Sequence, residues 1–174
     1  VSRYESMLKA DKAETCFSCH ADILESLDKT VFAHEPVLQG DCTACHDPHS
    51  SDSKNLLQGG MTKSCLSCHR TLAKDFKVSH KPFAKGQCDA CHQPHGADNN
   101  LLLTTSSPEK LCRTCHSDSK VAARHKNYPV AVKGCLSCHN PHGSDRKQLL
   151  RNVLHEPYVE SCSNCHKGGS KITR

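Results

Sequence analysis

The string Cys-x-x-Cys-His occurs seven times: at Cys16-Cys19-His20, Cys42-Cys45-His46, Cys65-Cys68-His69, Cys88-Cys91-His92, Cys112-Cys115-His116, Cys135-Cys138-His139 and Cys162-Cys165-His166. The first cysteines are separated by 26, 23, 23, 24, 23 and 27 residues, and the seven copies use all 14 cysteines of the 174-residue chain. No other feature limits the fold as strongly. A local thiol-thiol-imidazole device that returns about every 25 residues leaves room between copies for a short helix and a loop, not for a layered sheet.

In such a motif the two thiols add across the vinyl groups of a haem, and the adjacent imidazole ligates the iron from one face. A single copy has competitors, a redox dithiol or half of a zinc site. Zinc, however, does not require a His after every second Cys, and a disulfide framework does not impose two-residue spacing throughout. Seven copies that exhaust the cysteines point to seven covalently attached haem c groups. Their proximal ligands are then His20, His46, His69, His92, His116, His139 and His166.

Seven further histidines remain: His34, His49, His80, His95, His125, His142 and His155. One per haem is what bis-His, six-coordinate iron requires, and most of the seven recur at fixed places. Motifs two, four and six run on as His46-Asp47-Pro48-His49, His92-Gln93-Pro94-His95-Gly96 and His139-Asn140-Pro141-His142-Gly143, whereas odd motifs never do. Ahead of each even motif stands a His with Pro soon after: His34-Glu35-Pro36, His80-Lys81-Pro82, and His125 with Pro129. His49 lies three residues past His46, on the same side of a helical turn, and so is poorly placed to reach the opposite face of its own haem. We therefore expect His49, His95 and His142 to serve haems one, three and five, and His34, His80 and His125 to serve haems two, four and six. The seventh motif lacks a Pro-His, and His155-Glu156-Pro157 upstream is expected to supply its second ligand, the alternative being a distal His that reaches a haem on a neighbouring subunit. Met7 and Met61 do not recur in the repeat and are not expected to ligate.

The larger period is thus a doubled motif, with units at about 15–60, 61–106 and 107–152 and a half unit at 153–174, all in one heptahaem domain. Segments 18–29 and 66–77 read as short helices starting at the haem-binding motif. The Pro, Gly, Asn and Asp clusters at 47–54, 94–100 and 140–145 read as loops. Nothing alternates as a strand does. With no Trp, three Tyr, four Phe and little apolar sequence beyond Leu56-Leu57, Leu101 to Leu103 and Leu149-Leu150, the chain cannot build an ordinary core. The expected fold class is mostly coil with short α-helices and little or no β-sheet, the core being the stacked haems themselves.

The formal charge of +5 suggests an anionic partner only until the cofactors are counted. Two ionised propionates on each ferric haem contribute about −1, so seven bring the total to roughly −2. Nucleic-acid binding is not supported. No stretch approaches the roughly 20 apolar residues of a membrane span, and the first residues carry no signal-peptide h-region, so we expect a chain processed after export.

The His-x-Pro ahead of a Cys-x-x-Cys-His-x-Pro-His-Gly resembles the doubled-CxxCH multihaem cytochrome family, from about Thr15 to His166. It is similar to the pentahaem electron donors of periplasmic nitrite reduction and to the decahaem subunits of outer-membrane porin conduits. Ser50, where the other copies have Gly96 and Gly143, and the unpaired seventh motif depart from the pattern. The resemblance implies stacked haem pairs alternating with near-perpendicular contacts, export, and a periplasmic or extracellular site. It also implies redox partners such as a quinol-linked dehydrogenase, other multihaem cytochromes or an outer-membrane conduit. The expected function is respiratory electron transfer without substrate chemistry. The alternatives are a protomer of a conducting filament, which is a homopolymer, and a reductase with one labile distal ligand.

Overall fold

The structure is a computed structural model that describes residues 5–125 and 134–154. His155 and the seventh motif, Cys162, Cys165 and His166, lie outside the described residues. The elements are short: α1 Lys12–Phe17, α2 Ala21–Lys29, β1 Phe32–Ala33, α3 Glu35–Leu38, α4 Gly60–Leu66, β2 Val78–Ser79, α5 Lys81–Ala84, β3 Gly96–Ala97, α6 Pro108–Arg113, α7 Asp118–Arg124, α8 Cys135–Cys138 and β4 Gly143–Ser144. This is the coil-and-short-helix class read from the sequence. Among the described residues, no helix is long and apolar enough to cross a membrane.

Odd and even motifs are built differently. A helix runs into each described odd motif: α1 ends within the first, α4 within the third and α6 within the fifth. The first and third of these helices have distinct starts. Asp11 caps α1 by accepting the Glu14 N–H at 2.8 Å, and Gly59, in the left-handed region, precedes α4. Ser107 caps α6 through the Lys110 N–H at 3.3 Å, with Pro108 at the first helical position. The helix expected over 18–29 is present as α2, which starts directly after His20, and the helices that run into the odd motifs are additional to that expectation. A second helix follows the motif in two cases, α2 after His20 and α7 after His116. After His69 only a 3₁₀ turn, Arg70–Leu72, forms, so the helix expected over 66–77 stops early. Even motifs two and four sit on single 3₁₀ turns, Cys42–Ala44 and Cys88–Ala90, and the sixth on α8.

Contacts divide the chain into two compact units, Val1–Lys74 with Lys85–Ser106, and Asp75–Ala84 with Ser107–Arg174. Each contains one antiparallel clip of two-residue strands. In the first, Phe32 pairs with Ala97 and Ala33 with Gly96; in the second, Val78 pairs with Ser144 and Ser79 with Gly143. The backbone ladder continues one step further, from the His34 N–H to the His95 carbonyl at 2.9 Å and from the His80 N–H to the His142 carbonyl at 3.1 Å. The stretch before a His-x-Pro is thereby tied to the stretch after the second Pro-His downstream, passing over the first: His34 over His49 to His95, and His80 over His95 to His142.

The glycine after Pro-His follows from that pairing. A Cβ on Gly96 would stand 2.8 Å from the Thr30 hydroxyl and 3.0 Å from the Phe32 carbonyl, and one on Gly143 would enter the Phe76 ring. At the corresponding place in the first even motif, Ser50 pairs with no strand among the described residues, and a side chain is accommodated. The same logic packs odd motifs onto even ones. Gly40 (φ +66°) leaves no Cβ volume against Ala13 of α1, and Gly86 (φ +67°) none against Thr62 of α4.

Apolar burial is nearly missing. Among the described residues only Ala97 (4% exposed) and Leu103 (8%) are buried apolar residues, while Val31, Leu38 and Val153 are largely exposed. The described polypeptide therefore has almost no hydrophobic core of its own, as its composition foretold. Gly96→Ala and Gly143→Ala should each destabilise the protein by about 1–3 kcal/mol through overpacking, and Ser50→Ala by almost nothing. Thermal unfolding followed at the haem absorption band checks the contrast.

Candidate haem-binding site

The His-x-Pro strings have a local explanation. Pro36 stands in the first turn of α3, where its fixed φ favours the helix and its missing N–H costs nothing. His34 is left at the extended N-cap position (φ −71°, ψ 134°), its N–H bound to the His95 carbonyl and its own carbonyl accepting from Val37 and Leu38. With the backbone held on both sides, the ring has one direction to take. In the Pro-His strings a preceding side chain sets the turn: Asp47 accepts the His49 N–H at 2.9 Å, and Asn140 the His142 N–H at 3.2 Å.

Four pairs of imidazoles result, with nearly one spacing. The ring centroids are 6.1 Å apart for His34 and His69, and 6.2 Å apart for His46 and His95, His80 and His116, and His125 and His139. The interplanar angles are 15°, 39°, 24° and 77° in the same order. Two metal–imidazole bonds of about 2 Å each, with a ring radius added at either end, place trans imidazoles about 6 Å apart. A structural zinc site would gather four donors; among the described residues no group of three or more His, Cys, Asp or Glu side chains converges. The donors present, in pairs at this separation and without a core between them, fit haem iron.

These partners differ from those expected. His34 faces His69 rather than His46, His95 faces His46 rather than His69, and His80 faces His116 rather than His92. His34 and His80 each stand directly before a one-turn helix, α3 and α5, with the backbone N–H tied across the clip to the His95 and His142 carbonyls, and the rings meet His69 and His116. His125 does face His139, the expected motif. His49 was expected over His20 but extends into solvent, with 92% of its side chain exposed and Nδ1 3.8 Å from the Asp47 carboxylate.

Each even proximal imidazole has a further partner that the sequence did not signal. Nδ1 of His46 donates to the Asn55 carbonyl at 2.7 Å, that of His92 to the Leu101 carbonyl at 2.9 Å, and that of His139 to the Gln148 carbonyl at 2.8 Å. A carbonyl only accepts, so Nδ1 carries the proton and Nε2 keeps the lone pair that a metal needs. The Leu pairs bring these loops back: Leu57, Leu103 and Leu150 bridge to His46, His92 and His139.

Electrostatics favour neutral imidazole. Burial, followed by the nearby His46 and His34 rings, lowers the pKa of His95. Burial lowers that of His80 against the pull of the Pro141 carbonyl, with His116 adding to the decrease. The thiols come together across motifs. Burial and then the Cys88 thiol push Cys65 up to about 11. Burial raises Cys42 and Cys45 as well, helped by Cys16 in the first case and by Cys68 in the second. Consecutive motifs one to four of the first unit are therefore near neighbours through their cysteines.

A search of the curated proteins found no match. The doubled CXXCH motif family matches the chain over residues 34–74, 80–121 and 127–171. Each matched segment holds an even motif and the odd one after it, a phase shifted by one motif from the units drawn on sequence. The facing pairs His34 with His69 and His80 with His116 each fall within one segment. With most of its length in these three segments and its imidazoles paired for iron, the chain belongs to the doubled CXXCH motif family of multihaem c-type cytochromes.

Proposed function

We propose that the protein carries electrons along seven covalently bound haems, in periplasmic or extracellular respiratory electron transfer. The constant separation of about 6 Å between paired imidazoles carries this reading, since it is the spacing of trans ligands on one iron. The haem supplies a one-electron ferric–ferrous couple. Cysteines of the seven motifs anchor it, and the adjacent histidines ligate it on the proximal face. His95 completes the second iron, His34 the third, His80 the fifth and His125 the sixth. At the four motifs with facing imidazoles a haem held between the rings would have no position for a substrate, which favours electron transfer over catalysis there. No methionine pairs with a proximal histidine among the described residues, so the potentials are expected to be low, because axial Met is what raises them. His142 and His155 remain distal-type residues, as their place in the repeat indicates. Redox proteins, including other multihaem cytochromes, are the partners this reading calls for.

A second reading, reduction of a small molecule at the first haem, has one observation in its favour. The ring of His49, which the sequence assigns to that haem, lies in solvent. Carbon monoxide separates the two readings: a carrier with bis-His iron throughout binds it poorly in the reduced state, whereas an open first haem takes up one equivalent.

Two outcomes are expected. The pyridine haemochrome assay against protein concentration gives seven haems per chain; a count of six or fewer ends the seven-haem proposal. His95→Ala turns one low-spin haem high-spin and adds about one equivalent of carbon monoxide binding over the wild type. If tryptic mapping with NMR of the haem methyls places the altered haem on Cys65 and Cys68 instead of Cys42 and Cys45, the assignment of His95 fails.

A further inference from the structure

Loops return to the even proximal histidines at evident conformational cost. In the loop after motif two, Asn55 and Leu56 take φ of 58° and 54°; after motif four Leu102 takes 50°; after motif six Gln148 and Leu149 take 56° and 59°. None of these residues is glycine, and three are leucines, for which the left-handed region is strained. The product in every case is one peptide carbonyl seated 2.7–2.9 Å from the Nδ1 of His46, His92 or His139.

Different side chains reach this end in the three loops. Ser51 donates to the Leu57 carbonyl at 2.6 Å, and Ser144 likewise to the Leu150 carbonyl. The equivalent residue after motif four is Ala97, which has no hydroxyl. There Asn99 takes over: its Oδ1 accepts the N–H groups of Leu101 at 3.2 Å and Leu103 at 3.0 Å, and its Nδ2 donates to the carbonyls of Leu103 and Thr105, both at 3.1 Å. The described odd motifs send no such loop back. After His20 and His116 the chain passes into α2 and α7, and after His69 into a 3₁₀ turn. Among the described residues no carbonyl accepts from Nδ1 of His20, His69 or His116.

We propose that this chain sorts its haems into two potential classes through the second hydrogen bond of the proximal imidazole, with haems two, four and six the lower class. The inference rests on the reading that every motif carries a haem. A carbonyl oxygen on Nδ1–H gives the imidazole imidazolate character and makes it a stronger donor, which stabilises the ferric state. Reduction adds one electron to the iron; no bond forms or breaks, and the proton stays on Nδ1. In a titration dithionite supplies the electron. On the distal side the His125 ring at haem six donates to the Val121 carbonyl at 2.8 Å and the His80 ring at haem five bonds the Pro141 carbonyl, so it is the proximal bond that separates the two classes. Electrons then rest on the odd haems and cross the even ones as raised steps.

Asn99 and Ser144 are positioning residues in this scheme, and potential is the readout that separates tuning from mere structure. The holoprotein is titrated with dithionite while NMR exchange spectroscopy follows the haem methyls individually. In the wild type, haems two, four and six oxidise first as the potential rises. Asn99→Ala raises the reduced-to-oxidised ratio of haem four severalfold at fixed potential and leaves haem six in place, and Ser144→Ala does the reverse. An oxidation order that mixes even with odd haems overturns the proposal. So does an unmoved haem four in an Asn99→Ala protein that retains every haem in the low-spin state. The haem count, measured on the same samples, tells failure of this inference from failure of the seven-haem reading.

Discussion

A pair of imidazoles held about 6 Å apart must be held from both sides. The Cys-x-x-Cys-His turn fixes one ring locally, so the fold has to deliver the other from elsewhere in the sequence. The clips do this. The hydrogen bond from the His34 N–H to the His95 carbonyl fastens two of the recurring histidines to each other, while their rings face different motif histidines, His69 and His46. The bond between His80 and His142 repeats the device in the other unit. Short helices, glycines without room for a Cβ and two-residue strands all serve to keep that bond in register.

The residues that would hold haem could be read from the sequence because their chemistry is local. Cys-x-x-Cys-His needs only neighbours along the chain, and the regular recurrence of His34, His80, His95 and His142 marked them as ligand-type residues. Which ring faces which could not be read. Sequence distance favoured His34 over the second motif, whereas its ring meets His69. Pairing is a property of the clip, and a clip joins segments about a repeat and a half apart through backbone groups that carry no side-chain signature. The two-residue strands are too short for alternation to reveal them. The role of the leucine pairs was hidden for a similar reason: Leu56 and Leu101 are substantially exposed, and their loops are defined by the carbonyls they aim.

The departures from the repeat become intelligible once the clip is known. Gly96 and Gly143 are small because the segment they pair with passes within contact distance, and Ser50 pairs with no strand among the described residues. Ala97 lacks the hydroxyl of Ser51 and Ser144, and the adjacent Asn99 holds that loop with four hydrogen bonds instead. The loop geometry is the conserved quantity within this chain, and the side chains that enforce it vary.

The clip has a consequence for how such a chain can change its length. Since the strands before His34 and His80 meet the strands after the second Pro-His downstream, duplicating a whole unit in the interior would leave each of these histidines with a partner of the right kind. Inserting a fraction of a unit leaves a ring with no iron and an iron with one ring. The array is quantised. Its lineage can add or remove haems two at a time by recombination between repeats, while point insertions are confined to stretches that no clip encloses.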